Sequence, residues 1–388
     1  MKNEKSRVKK KKKKEKKKKG KKKKNLLYLI NYLCRMSDDE FIDEYDDIYS
    51  KLCQEAQDFL IIKDIERIEK PTALEFYREY VSQNKPVIIT GLLENWKAYK
   101  EWSDDYLENV MKDVEVTVSI TNDGLADAVK PINENDPKSE RVFCKPFEKK
   151  IKFQEYIKHS KKSSKENKNK LAYYIQYQNN SLNVEYDKLL NDIDESVIDF
   201  AKEAFGSNID ATNFWMGQDK SVSSLHQDPY ENMYCVVRGT KIFTLLPPID
   251  YPFLYKSEFP SASFVNVGCD DNDENIKLEI QIDNDPKMNI PWIPVDPTET
   301  LENNIKLGYP LIERAHPITI RVEAGEVLYL PSLYFHRVAQ ESNKTSNSLS
   351  TIAINYWFDM KYGINYVYFQ FLKETTKYQK QIKNKNKK

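Results

Sequence analysis

The sequence predicts a mainly β fold, a sandwich or barrel with helices added outside. Three observations carry that reading. Short apolar segments with period-two alternation recur between residues 86 and 357, no helices alternate regularly with them, and turn signals punctuate the series. A chain of alternating strands and helices would point to a parallel sheet instead.

The elements follow in order. Ser37-Asp38-Asp39-Glu40 has the spacing of a capping box, in which a hydroxyl and a carboxylate satisfy the free N–H groups of a helix start. Phe41, Tyr45, Ile48, Tyr49 and Leu52 then recur at helical intervals. Residues 37–62 therefore read as one amphipathic helix whose apolar stripe must pack on the body or on a second copy. Glu69-Lys70-Pro71 breaks it, and a second helix runs through Leu74, Phe76, Tyr77 and Tyr80. The period then changes to two. Pro86–Ile89 and Val114–Ile120 read as strands, the latter ending in the turn Thr121-Asn122-Asp123-Gly124. The lysine-rich segment 158–170 is of low complexity and reads as a surface loop. Further strands are expected at Tyr173–Tyr177, Asn213–Met216, Met233–Val237, Ile242–Leu246, Ile318–Val322, Val327–Leu330 and Ile352–Trp357, with turns at Arg238-Gly239-Thr240 and Glu323-Ala324-Gly325-Glu326. The acidic, Pro-containing stretch 256–310 reads mostly as loop.

Composition narrows the function classes. A net charge of +1 over 388 residues hides a segregated distribution. Residues 1–24 hold 17 Lys/Arg and 377–388 hold six Lys, which leaves 38 basic against 58 acidic residues between 25 and 376. An acidic body repels nucleic acid, so a nucleic-acid role could rest only on the tails. Five Cys without a CxxC pair read as reduced thiols rather than a disulfide framework or a thiolate zinc site. No run of about 18 apolar residues exists, so no membrane span is expected. The lysine-rich start followed by the apolar stretch 25–34 imitates a signal peptide but lacks a small-x-small cleavage site, and a nuclear or cytoplasmic location is expected. Two readings of the lysine run stay open: a nuclear-localisation or nucleic-acid tether, and a solvated tail. The organisation read from these shifts is a basic tail at 1–24, a helical segment at 25–69, one domain at 70–373 and a basic C-terminal tail at 374–388.

Four His bound the catalytic options. His159 beside the lysine-rich loop reads as solvated, and His316, before Pro317, as structural or exposed. His226-Gln227-Asp228 is different, because positions i and i+2 of an extended segment face the same way. His336 reads as lying at the end of the Val327–Leu330 strand and its Pro331 turn. If that strand neighbours the one holding His226, then His226, Asp228 and His336 form two imidazoles and one carboxylate on one metal, the set that suits non-haem Fe(II). Asn232 and Lys241 follow on the next strands, and a lysine inside a barrel must meet an acid or a ligand carboxylate. Trp96, Trp102, Trp215, Trp292 and Trp357 read as core rather than as a substrate platform.

Phe214 to Pro248, with its His226-Gln227-Asp228, Asn232 and Lys241-Ile242-Phe243, together with Gly325–Pro331 leading to His336, resembles the jumonji-C oxygenase family. The resemblance covers roughly 70–373. Segments 121–129, 228–237, 290–297 and 355–360 match one subgroup of that family in detail. It implies a double-stranded β-helix (jelly-roll, cupin) core with flanking α-helices and an Fe(II)- and 2-oxoglutarate-dependent dioxygenase that consumes O₂. By this resemblance His226, Asp228 and His336 bind iron, and Lys241 and Tyr174 hold the far carboxylate of 2-oxoglutarate. Asn232 and Asn355 lie near its iron-binding end, and Ser223 stands where the family usually has Thr. The subgroup's activity is 3-hydroxylation of a lysyl residue in a developmentally regulated GTP-binding protein, and its members have also been described as peptidases acting on histone tails at methylated Arg or Lys. The resemblance further implies homodimers, with Tyr366–Leu372 packing on the helix at 37–62 within one chain or across copies. Lysine demethylation by the same iron chemistry and a non-catalytic role for the basic tail remain as alternatives.

Overall fold

β-Branched and aromatic residues at alternate positions commit most of the chain to sheet. The computed structural model describes residues 38–59, 63–165, 171–268, 276–342 and 350–385. In chain order its strands are β1 (Arg67–Ile68), β2 (Val87–Ile89), β3 (Glu115–Thr121), β4 (Leu125–Ala126), β5 (Ala128–Pro131), β6 (Arg141–Lys145), β7 (Phe147–Lys152), β8 (Ala172–Ile175), β9 (Ala211–Gly217) and β10 (Val222–Gln227). There follow β11 (Tyr230–Arg238), β12 (Thr240–Leu246), β13 (Ser257–Asn266), β14 (Leu278–Ile282), β15 (Asn289–Trp292), β16 (Ile318–Glu323), β17 (Val327–Leu330), β18 (Phe335–Glu341) and β19 (Thr351–Asp359).

The centre is built from β9–β12 and β16–β19. One sheet runs β1-β2-β17-β11-β19-β9-β8-β3-β7 and the facing one β16-β12-β18-β10-β4. Central strands alternate between the two sheets from β9 to β12 and again from β16 to β19, while β12 and β16 pair within one sheet. This is the winding of a double-stranded β-helix, a mainly β jelly roll. Between the sheets lie Tyr174, Trp215, Tyr234, Phe243, Leu328 and Val338, all buried. The outer face of the large sheet is covered by helical segments such as Ala73–Phe76, Asp104–Met111 and Asp199–Phe205, through a second cluster containing Phe76, Phe205 and Tyr329.

Several expectations change. The turn expected at Arg238-Gly239-Thr240 is a corner between sheets and joins no paired strands, since β11 pairs with β17 and β19 while β12 pairs with β16 and β18. Gly239 makes that corner with φ 74°, and a Cβ there would meet Thr351 Oγ1 at 2.5 Å. The stretch 256–310 is not mostly loop. β13 pairs antiparallel with β14 and β15 and parallel with β6, forming a third sheet beside the core, and Leu301–Lys306 is helical. The lysine-rich segment is helical as far as Lys165, because Phe153, Tyr156, Ile157 and Ser160 bury one stripe and leave the lysines to the other face. His159 is half-buried with its ring stacked on Tyr173, centroids 5.1 Å apart.

The chain forms two compact units, residues 61–373 and residues 1–60 with 374–388. In the second, helix Asp38–Phe59 buries Tyr49, Cys53 and Ala56, and the last turns of helix Ile364–Lys385 bury Thr376, Gln379 and Ile382. In the first, Phe369 packs on Tyr251 and Phe335. Cys53, Cys144 and Cys235 are buried thiols outside any disulfide among the described residues. The lysine run 1–24, the apolar stretch 25–34, Cys34, Cys269 and residues 166–170 lie outside the described residues. Among the described residues no helix is long and apolar enough to cross a membrane.

Candidate metal and cosubstrate site

The two imidazoles meet through strand pairing. β10 runs antiparallel to β18 with His226 directly opposite His336, and a bulge between Ser223 and His226 re-aims the strand end. Asp228 follows in the turn to β11. Its Oδ2 lies 3.7 Å from His226 Nε2 and 3.5 Å from His336 Nε2, and the three groups offer ligand atoms within 4.8 Å of one another. The far nitrogens are tethered to backbone: His226 Nδ1 is 2.7 Å from Ser224 O and His336 Nδ1 is 3.2 Å from Tyr334 O. Those carbonyls accept from protonated Nδ1, which leaves both Nε2 lone pairs turned toward Asp228. Gln227 faces away, its amide donating to Leu333 O.

Electrostatics favour the metal-binding protonation states. Burial, reinforced by His336, lowers the His226 pKa to about 4, so its imidazole is neutral near pH 7. Burial alone would raise Asp228, but the two imidazoles more than offset it and hold the carboxyl below its ordinary range. Two imidazoles and one carboxylate at this spacing fit a divalent iron with coordination positions to spare.

Lys241 supplies the second half of the site. It is fully buried on β12, with Nζ 3.2 Å from Tyr174 Oη and bonded to the side-chain oxygen of Gln340 directly across the sheet. Both partners are neutral, and burial lowers the Lys241 pKa to about 7. An enclosed ammonium with neutral partners fits an anionic ligand. Tyr174 Oη is also hydrogen-bonded to Ser223, so the tyrosine at 174, rather than Tyr173 or Tyr177, shares the lysine's pocket. Asn355 accepts from Trp215 Nε1 at 2.7 Å and donates to Asn232 Oδ1 at 3.2 Å. Tyr174, Ser223, Asn232 and Asn355 line one cavity with His226, Asp228 and His336.

A wider cavity of about 330 Å³ shares His226, Asp228 and Ser223 and opens toward Asp127, Glu148 and Trp292. Trp292 is therefore no simple core residue. Its ring lies parallel to His226, 6.3 Å away, whereas Trp215 and Trp357 are buried beside the narrower cavity. His316 is structural, with Nδ1 and backbone N both 2.7 Å from the buried Asp250. Sequence reasoning missed Gln340, Asp127, Glu148 and the role of Trp292. Placing β18 would have found Gln340, since it pairs across the sheet with Lys241.

A jelly roll that gathers two His and an Asp at one end of paired strands, with an enclosed lysine behind them, defines a cupin-type non-haem iron oxygenase. The sequence profile of the cupin-like domain matches residues 73–364. The chain is 38% identical over 326 residues to "Lysine-specific demethylase JMJ32" of Arabidopsis thaliana, covering 83% of this chain and 89% of that one. It is 37% identical over 307 residues to "Bifunctional peptidase and (3S)-lysyl hydroxylase JMJD7" of Homo sapiens, covering 79% and 87%. "JmjC domain-containing protein D" of Dictyostelium discoideum is 28% identical over 303 residues, 73% of this chain and 55% of that one. The chain belongs to the cupin-like jumonji-C oxygenases, whose cofactors are Fe(II), 2-oxoglutarate and O₂.

Proposed function

We propose that this protein hydroxylates a lysyl side chain at C3 in a protein substrate, a developmentally regulated GTP-binding protein. The observation that carries the oxygenase half is Lys241, a buried cation with only neutral partners behind two imidazoles and a carboxylate. The lysyl half is supported by the printed activity of the human relative and by the acidic body, which suits a basic substrate. When bound, iron and 2-oxoglutarate supply the oxidising power that activates O₂ and places one oxygen atom on a C–H carbon. The chain does the rest. His226, Asp228 and His336 hold the metal, with each imidazole oriented by its backbone tether and His226 kept neutral by burial. Lys241 neutralises the far carboxylate of the cosubstrate, and Tyr174 and Ser223 hydrogen-bond beside it. Asn232 and Asn355 orient the near end, and Trp215, Trp357 and Phe243 keep water out of the cavity.

Demethylation is the second reading, favoured by the printed name of the Arabidopsis relative. A peptidase would leave Lys241 without a task. The protein acts in the nucleus or cytoplasm, its basic tails contribute localisation or a nucleic-acid tether, and it works as a homodimer. The test is mass spectrometry of a lysine-bearing peptide from a developmentally regulated GTP-binding protein, incubated with protein, Fe(II), 2-oxoglutarate and O₂. One added oxygen on lysine, absent with His226→Ala, is expected. Loss of a methyl group from a methyl-lysine peptide, with no oxygen retained on unmethylated lysine, would favour the second reading.

A further inference from the structure

We propose that Asp127 and Glu148 form an anionic cradle for the ammonium of the substrate lysine, with Trp292 and Phe143 as the wall along which its methylene stem lies. The inference rests on the lysyl-hydroxylase reading and names the specificity-determining residues of that site.

Asp127, at the junction of β4 and β5, and Glu148, on β7, line the cavity of about 330 Å³ that also exposes His226 and Asp228. Among the described residues the Asp127 carboxylate makes no hydrogen bond and no ion pair, although it is half-buried and burial raises its pKa to about 6. Glu148 raises the Asp127 pKa further, while Lys145 and Lys130 act to lower it. Glu148 is likewise raised, by burial first and then by Glu185, and its carboxylate also has no bonded partner among the described residues. The two nearby lysines are engaged elsewhere. Lys130 Nζ lies 2.6 Å from Asp123, and Lys145 Nζ lies 2.9 Å from Asp283. A half-buried carboxylate with no bonded partner in the cavity wall, joined by an exposed one at the rim, offers negative charge that a cationic ligand completes.

The cradle is held rigidly and tied to the metal cluster by one residue. Ser224 Oγ donates to Asp127 O and accepts from Trp292 Nε1 at 3.0 Å, while Ser224 O faces His226 Nδ1 at 2.7 Å. Asp127 sits at φ 49°, a left-handed conformation that a non-glycine residue keeps only where its surroundings fix it. Trp292 also packs on Phe143, ring centroids 4.7 Å apart, making an apolar face from the cavity mouth to His226. Apolar wall and acidic end match the two parts of a lysine side chain, an alkyl stem and a three-donor ammonium.

The test compares binding of a lysine peptide with that of the same peptide carrying norleucine, which keeps the stem and lacks the ammonium. Protein loaded with Mn(II) and 2-oxoglutarate is titrated, and the affinity for 2-oxoglutarate is recorded in every variant as the control for folding. Wild type is expected to prefer lysine by about tenfold to a hundredfold, and Asp127→Asn to bring the two peptides within about twofold of each other at unchanged 2-oxoglutarate affinity. Glu148→Gln is the second variant, expected to reduce the preference by about threefold or more. No lysine preference in wild type, or an undiminished one in both variants, overturns the cradle even if lysine is hydroxylated. A preference that disappears in Asp127→Asn while no lysyl oxidation occurs keeps the cradle and removes the hydroxylase reading.

Discussion

At the scale of single residues the site is organised around charges that the protein leaves for its ligands to complete. Lys241 is enclosed with Tyr174 and Gln340, and its pKa falls from an ordinary 10.5 to about 7. The unfolded chain therefore binds this proton below about pH 10.5, the folded chain only below about 7. Cosubstrate-free protein should lose stability as pH falls from 10.5 to 7 and change little through this group below that window, by on the order of a few kcal/mol in total. Lys241→Met should flatten that slope and abolish the rise in Tm that 2-oxoglutarate produces in wild type. Melting curves across the window read both effects, and a Met variant still stabilised by the cosubstrate would contradict the anchor role. Asp228→Ala leaves two imidazoles without the carboxylate that faces both. It should reduce retained metal, measured by elemental analysis, at least tenfold and remove turnover.

At the scale of elements, two polar strands carry the chemistry and were the hardest to read. β11, β12, β16, β17 and β19 were legible because β-branched, Leu and aromatic residues fill them at strand spacing, and β9 through its Phe-Trp-Met run. β10, Val-Ser-Ser-Leu-His-Gln, and β18, Phe-His-Arg-Val-Ala-Gln-Glu, turn polar side chains inward because one end of the barrel is a site, so their patterning looks like loop. His226 and Asp228 stood out by spacing alone; that His336 lies opposite His226 follows from pairing, which no local pattern encodes. The third sheet was missed for a related reason. β13 and β15 contain Pro260 and Pro291, which read as breakers, yet both strands pair through neighbouring positions. Gly217, at the end of β9, offers an element-scale test. A Cβ there would lie 2.3 Å from Gln340 Nε2 and 2.5 Å from the Tyr174 ring, the two side chains that hold Lys241. Gly217→Ala should cost about 1–3 kcal/mol of stability and raise the KM for 2-oxoglutarate with a smaller change in kcat. A variant with wild-type KM would show that neither partner positions Lys241.

At the scale of the whole molecule, charge is divided by task. Most acidic residues lie between the basic tails, and the groups proposed for metal, cosubstrate and substrate all fall within residues 61–373. Deleting residues 1–24 should leave turnover on a peptide within about twofold of wild type while changing cellular location or nucleic-acid retention. Loss of peptide turnover in that variant would support the non-catalytic or tail-dependent reading. The most direct measurement uses isotopically labelled O₂ with the lysine-bearing peptide, Fe(II) and 2-oxoglutarate. The account predicts one labelled atom on lysine C3 and one in succinate, in equal amounts, with neither in His226→Ala. A cleaved peptide bond without label, or formaldehyde released from a methyl-lysine peptide with no label retained on lysine, would contradict it.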